Sequence, residues 1–146
     1  MALTQLDNLA RIGKLKSEPP AAAEFAGLVR AGKARLKDAG NKALHEESRF
    51  DLACNAAHSL SLAALRWHGY RSESRYLVFQ CLEHTLGLGK EKWRVLDDAH
   101  RKRNLAEYEG QMEIDAALLE ALLRVAREVQ ELVSALAPIV EKPTKG

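Results

Sequence analysis

The chain has few of the residues that build disulfide scaffolds and metal centres. It contains two cysteines, Cys54 and Cys81, and they form no Cys-x-x-Cys pair. Isolated thiols are typical of a reducing compartment, so we interpret both as small buried hydrophobic residues rather than as a disulfide. No two of the five histidines are three or four residues apart, which excludes a local His pair on one helix face as a metal site. The sequence therefore predicts no metal and no cofactor.

Long apolar runs and common catalytic motifs are also missing. No run approaches the roughly 20 apolar residues that a membrane-spanning helix needs, and the first residues lack the basic and apolar regions of a secretory signal. We therefore expect a cytoplasmic protein with no membrane partner. The chain has no Gly-rich phosphate loop, no Gly-x-Ser-x-Gly and no His-Glu-x-x-His, so motifs alone leave open whether it is an enzyme.

What the chain does have is ordinary globular composition with a slight excess of positive charge. Hydrophobic residues make up 47% and charged residues 29%, with a formal net charge of +2. Between residues 90 and 103 there are six Lys or Arg against three Asp or Glu, and residues 14–37 form a second basic stretch. Such stretches are either solvated surfaces or the electrostatic footprint of an RNA-binding protein.

Good helix formers fill the segments between the Gly and Pro residues, and no alternating β pattern of useful length is present. We predict an all-α, up-and-down helical bundle of about five to six helices. Residues 1–18 would form a short N-terminal helix and linker, residues 19–137 the bundle, and residues 138–146 a flexible tail. Pro20 is expected in the first turn of the second helix and Ser72 at the N-cap of the fourth. The predicted helices span approximately residues 3–15, 20–39, 46–68, 73–86, 91–108 and 114–136.

Two of these helices have informative apolar patterns. The third is apolar nearly all round and rich in Ala, which is typical of a central helix that its neighbours approach closely. The last has apolar residues at alternating spacings of four and three over about three heptads. This stripe either packs inside the bundle or forms a coiled coil with a second copy. Its members are Leu118, Leu122, Val125, Val129, Leu132 and Leu136.

A dense polar cluster occupies the fifth predicted helix. His100, Arg103, Asn104 and Glu107 fall on one face, with Tyr108 at its edge. An Arg fork suits phosphate, His titrates near neutral pH, and Asn can hold a phosphate or a ribose hydroxyl. The pattern indicates either a polar pocket beside the core or a charged helix face with ordinary i,i+4 pairs.

The order of motifs resembles a HEPN domain over roughly residues 21–136. The resemblance rests on Arg-Phe-Asp-Leu-Ala opening a long Ala-rich helix, then Leu-Arg-Trp-His-Gly-Tyr-Arg, then Arg-Lys-Arg-Asn followed by Tyr; these are residues 49–53, 65–71, 101–104 and 108. It implies a helical bundle, a homodimer, and membership of toxin–antitoxin or antiviral systems. Active members of the family are metal-independent endoribonucleases with a motif of Arg, four to six intervening residues, and then His.

Carried over onto this chain, the resemblance places Arg103 at the motif Arg and Asn104 at the polar position beside it. Tyr108 stands where active members have His. Because a Tyr titrates near pH 10, it is a poor general base at neutral pH, although it can donate a hydrogen bond to phosphate. His100, one turn before Arg103, is a conjectured substitute. The candidate catalytic residues are thus Arg103, Tyr108 and His100, and the candidate binding residues are Asn104, Glu107, Arg101 and Lys102.

Three functions remain open at this stage. The first is a non-catalytic HEPN-like module that binds RNA, a nucleotide or a partner, such as a cognate antitoxin or a nucleotidyltransferase. The second is a metal-independent endoribonuclease toxin that uses Arg103 with Tyr108 or His100. The third is a purely structural bundle for protein–protein contacts, with RNA affinity no greater than its mild charge supplies.

Overall fold

The computed structural model describes residues 2–110 and 113–140, and within these ranges the chain is a helical bundle, as predicted. Seven helical segments and one small antiparallel sheet form its regular structure. Helices α4 (Arg75–Gln80) and α5 (Leu82–Thr85) are separated only by Cys81, and together they correspond to the single fourth helix of the prediction. The elements are α1 (Ala2–Arg11), β1 (Lys16–Ser17), α2 (Ala22–Ala39), α3 (Glu46–Trp67), β2 (Tyr70–Arg71), α4 (Arg75–Gln80), α5 (Leu82–Thr85), α6 (Lys90–Glu109) and α7 (Ala116–Ser134).

The first helix is shorter than predicted. It ends at Arg11 because the chain reverses at Gly13, which has a positive φ of 80° that favours glycine. Lys16 and Ser17 then pair with Arg71 and Tyr70 as an antiparallel ladder. The prediction of a helix to residue 15 with no strand was therefore wrong, because two-residue strands are too short to show an alternating pattern.

Two predicted helix starts also shift. The second helix begins at Ala22, so Pro20 lies before its N-cap rather than in its first turn. The N-cap of α4 is Ser74, whose hydroxyl accepts a hydrogen bond from the Leu77 amide at 3.3 Å. Ser72 instead accepts from the Ser74 amide at 3.1 Å, which orders the turn before the helix. The capping chemistry was anticipated but was assigned to the wrong serine.

Helix α3 is the centre of the bundle, as its apolar composition predicts. It packs against α2, α7, α6 and α4, and its small residues Ala53, Ala56, Ala57, Ala63 and Ala64 are fully buried. The Ser59 hydroxyl donates to the Leu28 carbonyl of α2 at 2.7 Å, a contact that shows how closely these helices approach. The apolar stripe of α7 faces α2, α3 and α6, so it packs inside the bundle.

A second, smaller core holds the N-terminal segment on the bundle. Leu6 and Leu15 are buried against Leu65, Tyr70 and Val78. At the other end, the Trp67 indole donates to the Ala137 carbonyl at 2.8 Å. The predicted flexible tail falls mostly outside the described residues. Among the helices that are described, none combines the length and apolar character needed to cross a membrane.

Candidate functional site

An open cleft lies between α4 and α6, with a volume of about 790 Å³. We call it the α4–α6 cleft. Ser74 caps α4 at one end, so the first turn of α4 directs Arg75 and Tyr76 into the cleft. From α6, residues at helical spacing contribute Trp93, His100 and Asn104. The cleft is therefore built mainly by two helices, which α5 and a turn around Gly87 and Gly89 separate in the sequence.

The charges that line the cleft are unbalanced. Four basic residues, Arg75, Lys90, Arg94 and Arg101, face two acidic residues, Glu83 and Asp97. Both acids are already engaged. Asp97 is buried and pairs with Arg101 at 3.2 Å, while Glu83 accepts from the Trp93 indole at 2.7 Å. The cleft consequently presents net positive charge to a ligand.

Arg75 is the most buried of these four cations, since the other three are exposed. It is half-buried, and its guanidinium makes only long contacts of 3.4 Å to the Asn55 amide oxygen of α3. No acid forms an ion pair with it in the part of the chain that the structure describes. Burial lowers the pKa of Arg75, and the positive charge of Arg103 lowers it further. An anion placed at this guanidinium would relieve both effects.

His100 presents an unused nitrogen beside Arg75. Its Nε2 lies 3.1 Å from the Asn104 amide nitrogen, whereas its Nδ1 is buried with no hydrogen-bond partner among the described residues. If the Asn104 amide donates to Nε2, the neutral ring carries its proton on Nδ1, as a donor. Burial lowers the pKa of His100, and the charges of Arg75 and Arg103 add to this.

His58 of α3 joins these residues from the other side of Phe79. The rings of His58 and His100 both pack edge-on against Phe79, at centroid distances of 6.3 and 6.2 Å. Burial lowers the pKa of His58 to about 4, with further contributions from Arg75 and His100. We call Asn55, His58, Arg75 and His100 the inner cluster.

The site residues predicted from the sequence did not include His58, Asn55 or Arg75. A signal for the first two was present, because Asp51, Asn55 and His58 form a half-exposed polar seam along the otherwise apolar α3. The spacing of histidines along one helix could not indicate this arrangement, because His58 and His100 come from different helices and each packs against Phe79. Arg75 carried no signal, because its environment depends on how α3 and α6 pack around it.

Arg103 lies beside the cleft rather than in it, and it is neutralised by acids. It pairs with Asp51 of α3, and with Glu107 at 3.2 Å one turn along α6. Burial opposes the charged form, but the hydrogen bond and charge of Asp51 outweigh it and raise the pKa of Arg103. The candidate motif Arg therefore ties α6 to α3 and has less capacity for a ligand anion than Arg75.

The remaining candidate residues divide between the cleft and the surface. His100, Arg101 and Asn104 line the cleft together. Tyr108 does not line it, and its side chain is 92% exposed near the end of α6. Lys102 is about 160° around the helix from Asn104, on a different side of α6. The structure therefore separates Tyr108 and Lys102 from the residues that they were grouped with.

The described residues contain no group of three or more His, Cys, Asp or Glu side chains arranged to hold a metal ion. Both cysteines are buried thiols, and burial raises the pKa of Cys54 to about 12 and that of Cys81 to about 11. Comparison of the chain with protein-family models, with curated proteins and with solved structures found no match.

Proposed function

We propose that this protein is a non-catalytic RNA-binding module that holds the phosphate backbone in the α4–α6 cleft. The observation that carries the proposal is Arg75, a half-buried guanidinium without an acidic partner in the described structure. A buried charge without a partner is costly, so a site that keeps one is suited to a ligand of opposite charge. The resemblance to HEPN domains supports RNA as that ligand.

The donors around Arg75 suit a phosphodiester in particular. Arg presents a planar fork that matches two phosphate oxygens, and the side chains of His100 and Asn104 line the same cleft. Arg94 and Lys90 line the same cleft, and Arg101 lines it as well but pairs with Asp97 and Asp98. A row of cations extending from one anchored phosphate fits a polyanion better than a single small anion.

Binding is tested with a fluorescently labelled 12-nucleotide single-stranded RNA, measured by anisotropy over a series of salt concentrations. We expect Arg75→Gln to weaken binding by about tenfold or more, since a charge-assisted hydrogen bond contributes roughly 1.5–3 kcal/mol. The matched control is Arg124→Gln, which removes the same charge from an exposed position on α7. It should change the affinity by less than about twofold.

Equal effects of the two substitutions would contradict the proposal, because binding would then depend on net charge rather than on the cleft. The salt dependence supplies a second criterion. Loss of one phosphate contact should reduce the slope of log K against log salt by roughly one for Arg75→Gln. The slope for Arg124→Gln should match that of the wild type.

A metal-independent ribonuclease is a second candidate, and His58 is the observation that favours it. Burial keeps the imidazole neutral at pH 7, so it can accept a proton, but its pKa of about 4 makes it a weak base. In such a reaction the 2′-oxygen attacks phosphorus, its proton passes to His58, and the bond to the 5′-oxygen breaks. The 5′-oxygen then takes a proton from water, which leaves a cyclic phosphate.

The catalytic candidate is tested by incubating a mixed RNA pool with the purified protein in EDTA. We compare wild type with His58→Gln, and with Arg103→Ala as a test of the motif Arg. Cleavage by wild type that His58→Gln abolishes, with RNA binding retained, would make the protein a ribonuclease. No cleavage of several RNA classes by the wild type would exclude this candidate and leave the binding module.

A further inference from the structure

We propose that Tyr76 is a stacking platform for a nucleobase, so that the α4–α6 cleft selects single-stranded RNA over duplex. This inference rests on the proposed function, because it concerns the same cleft. It identifies which form of RNA the cleft accepts and which residue makes the selection. Neither the motif analysis nor the charge pattern pointed to Tyr76.

Tyr76 combines exposure with a fixed position. It lines the cleft with 49% of its surface exposed, which is unusual for a large aromatic side chain with a packed neighbour. Its ring meets that of Trp93 edge-to-face, with centroids 6.0 Å apart and planes at 80°. Trp93 is only 4% exposed, and its indole donates to Glu83 at 2.7 Å. The tyrosine ring therefore rests on an anchored support.

The position of Tyr76 relative to Arg75 matches the layout of a nucleotide. Consecutive residues on a helix project about 100° apart, so the guanidinium and the phenol ring occupy adjoining parts of the cleft. Phosphate and base likewise lie on adjoining sides of a ribose. A phosphate held at Arg75 thus brings the base attached to it, or its neighbour, within reach of the ring.

Stacking on an aromatic ring requires an exposed base face. Bases inside an A-form duplex are stacked on each other, whereas those of a single strand can be splayed onto aromatic side chains. The amide groups of Gln80 and Asn104 also line this cleft, where they can hydrogen-bond to base edges. A duplex offers the cleft only its phosphates, so it loses the contribution of Tyr76.

The test compares three RNA ligands of equal length and charge: a single strand, the same strand with abasic positions, and a hairpin duplex. We expect Tyr76→Ala to weaken binding of the single strand by about tenfold and to leave the abasic and duplex ligands within about twofold. Tyr76→Phe should bind like wild type, because the ring is retained. A single strand carrying 2-aminopurine should show fluorescence quenching on binding to wild type but not to Tyr76→Ala.

Two further comparisons make the outcome decisive. Tyr76→Leu keeps apolar contact with Trp93, so it replaces the Ala variant if that variant does not fold. Unchanged binding of the single strand by Tyr76→Leu, while Arg75→Gln weakens it, would overturn the stacking role and leave the proposed function intact. Unchanged binding by Arg75→Gln as well would overturn the proposed function itself.

Discussion

Arg66 shows how much of this fold depends on one residue. It is 1% exposed at the end of α3, and it donates to the Glu24 carboxylate at 2.6 Å and to the carbonyls of Glu18 and Pro19 at 2.8 and 2.7 Å. These contacts fix the segment before α2 against the end of α3. Arg66 also lies 3.3 Å from the Glu18 carboxylate, and Arg71 of β2 pairs with the carboxylates of both Glu18 and Glu24. The hydrogen bond from Arg66 is the largest of the effects that lower the pKa of Glu24.

The first prediction compares two arginines in this network. Arg66→Gln removes the buried partner of an ion pair whose Glu24 side chain is 33% exposed and leaves two carbonyls without a donor, so we expect a loss of roughly 2–4 kcal/mol in the free energy of unfolding. Arg71→Gln removes the same charge from a side chain that is 30% exposed, and it should cost less than about 1 kcal/mol. Urea unfolding followed by circular dichroism measures both. Equal losses would show that burial of Arg66 is not the cause.

At the scale of single residues, the sequence indicated which side chains could bind or pair, but not which residues they contact. Arg66 was noticed as part of a motif, yet its partners lie 42 to 48 residues away. The same limit applies to the inner cluster. His100 was selected because it has polar neighbours on its own helix, while His58 gains its role only through packing against Phe79 and Arg75 only through its contact with Asn55.

Helices α2 and α3 pack closely where they cross, and small residues make this close packing possible. Gly32 of α2 faces Leu60 of α3, and a Cβ added at Gly32 would come within 2.5 Å of the Leu60 side chain. Leu60 is fully buried and so has little space to move. Gly27 lies in the same helix, but a Cβ there would meet no atom within 4 Å.

The second prediction is that alanine has opposite effects at these two glycines. Gly32→Ala overpacks the helix crossing and should destabilise the protein by about 1–3 kcal/mol. Gly27→Ala should stabilise it by roughly 0.5–1 kcal/mol, because alanine has the higher helix propensity. Thermal unfolding of both variants gives the comparison. Stabilisation by Gly32→Ala would mean that α2 and α3 are further apart than the structure places them.

The helices were easier to predict from the sequence than the contacts between residues. Apolar periodicity and good helix formers identified the helices and the central role of α3, because a buried helix has to carry its burial pattern in its own sequence. The helix ends were less predictable, as at Arg11 and Ser74, since they depend on single turns. The α4–α6 cleft was not predictable, because it depends on how two helices pack together. The sequence of either helix alone does not indicate that packing.

Three neutral histidines couple the stability of the whole molecule to pH. Burial lowers the pKa of His58 to about 4, and it also lowers the pKa values of His68 and His100. The unfolded chain returns each imidazole to its ordinary pKa near 6.5. Between these values the unfolded state binds more protons than the folded state. The contribution of these histidines to the free energy of unfolding is therefore fully present above about pH 6.5 and falls as the pH drops towards 4.

The third prediction follows for His58, which has the largest shift of the three. Between pH 7 and pH 4.5 its contribution to the free energy of unfolding should fall by about 2–3 kcal/mol, since each pKa unit corresponds to about 1.4 kcal/mol. His58→Gln should remove this part of the pH dependence, because glutamine does not titrate. The matched control is His45→Gln, at an exposed position just before α3.

Urea unfolding at half-unit pH steps from 4.5 to 7.5 measures this dependence for the three proteins. We expect the wild type and the His45→Gln variant to lose stability in parallel on acidification, and His58→Gln to lose distinctly less. A remaining slope in His58→Gln is expected from His68 and His100. If His58→Gln followed the wild type throughout, His58 would titrate alike in the folded and unfolded chains.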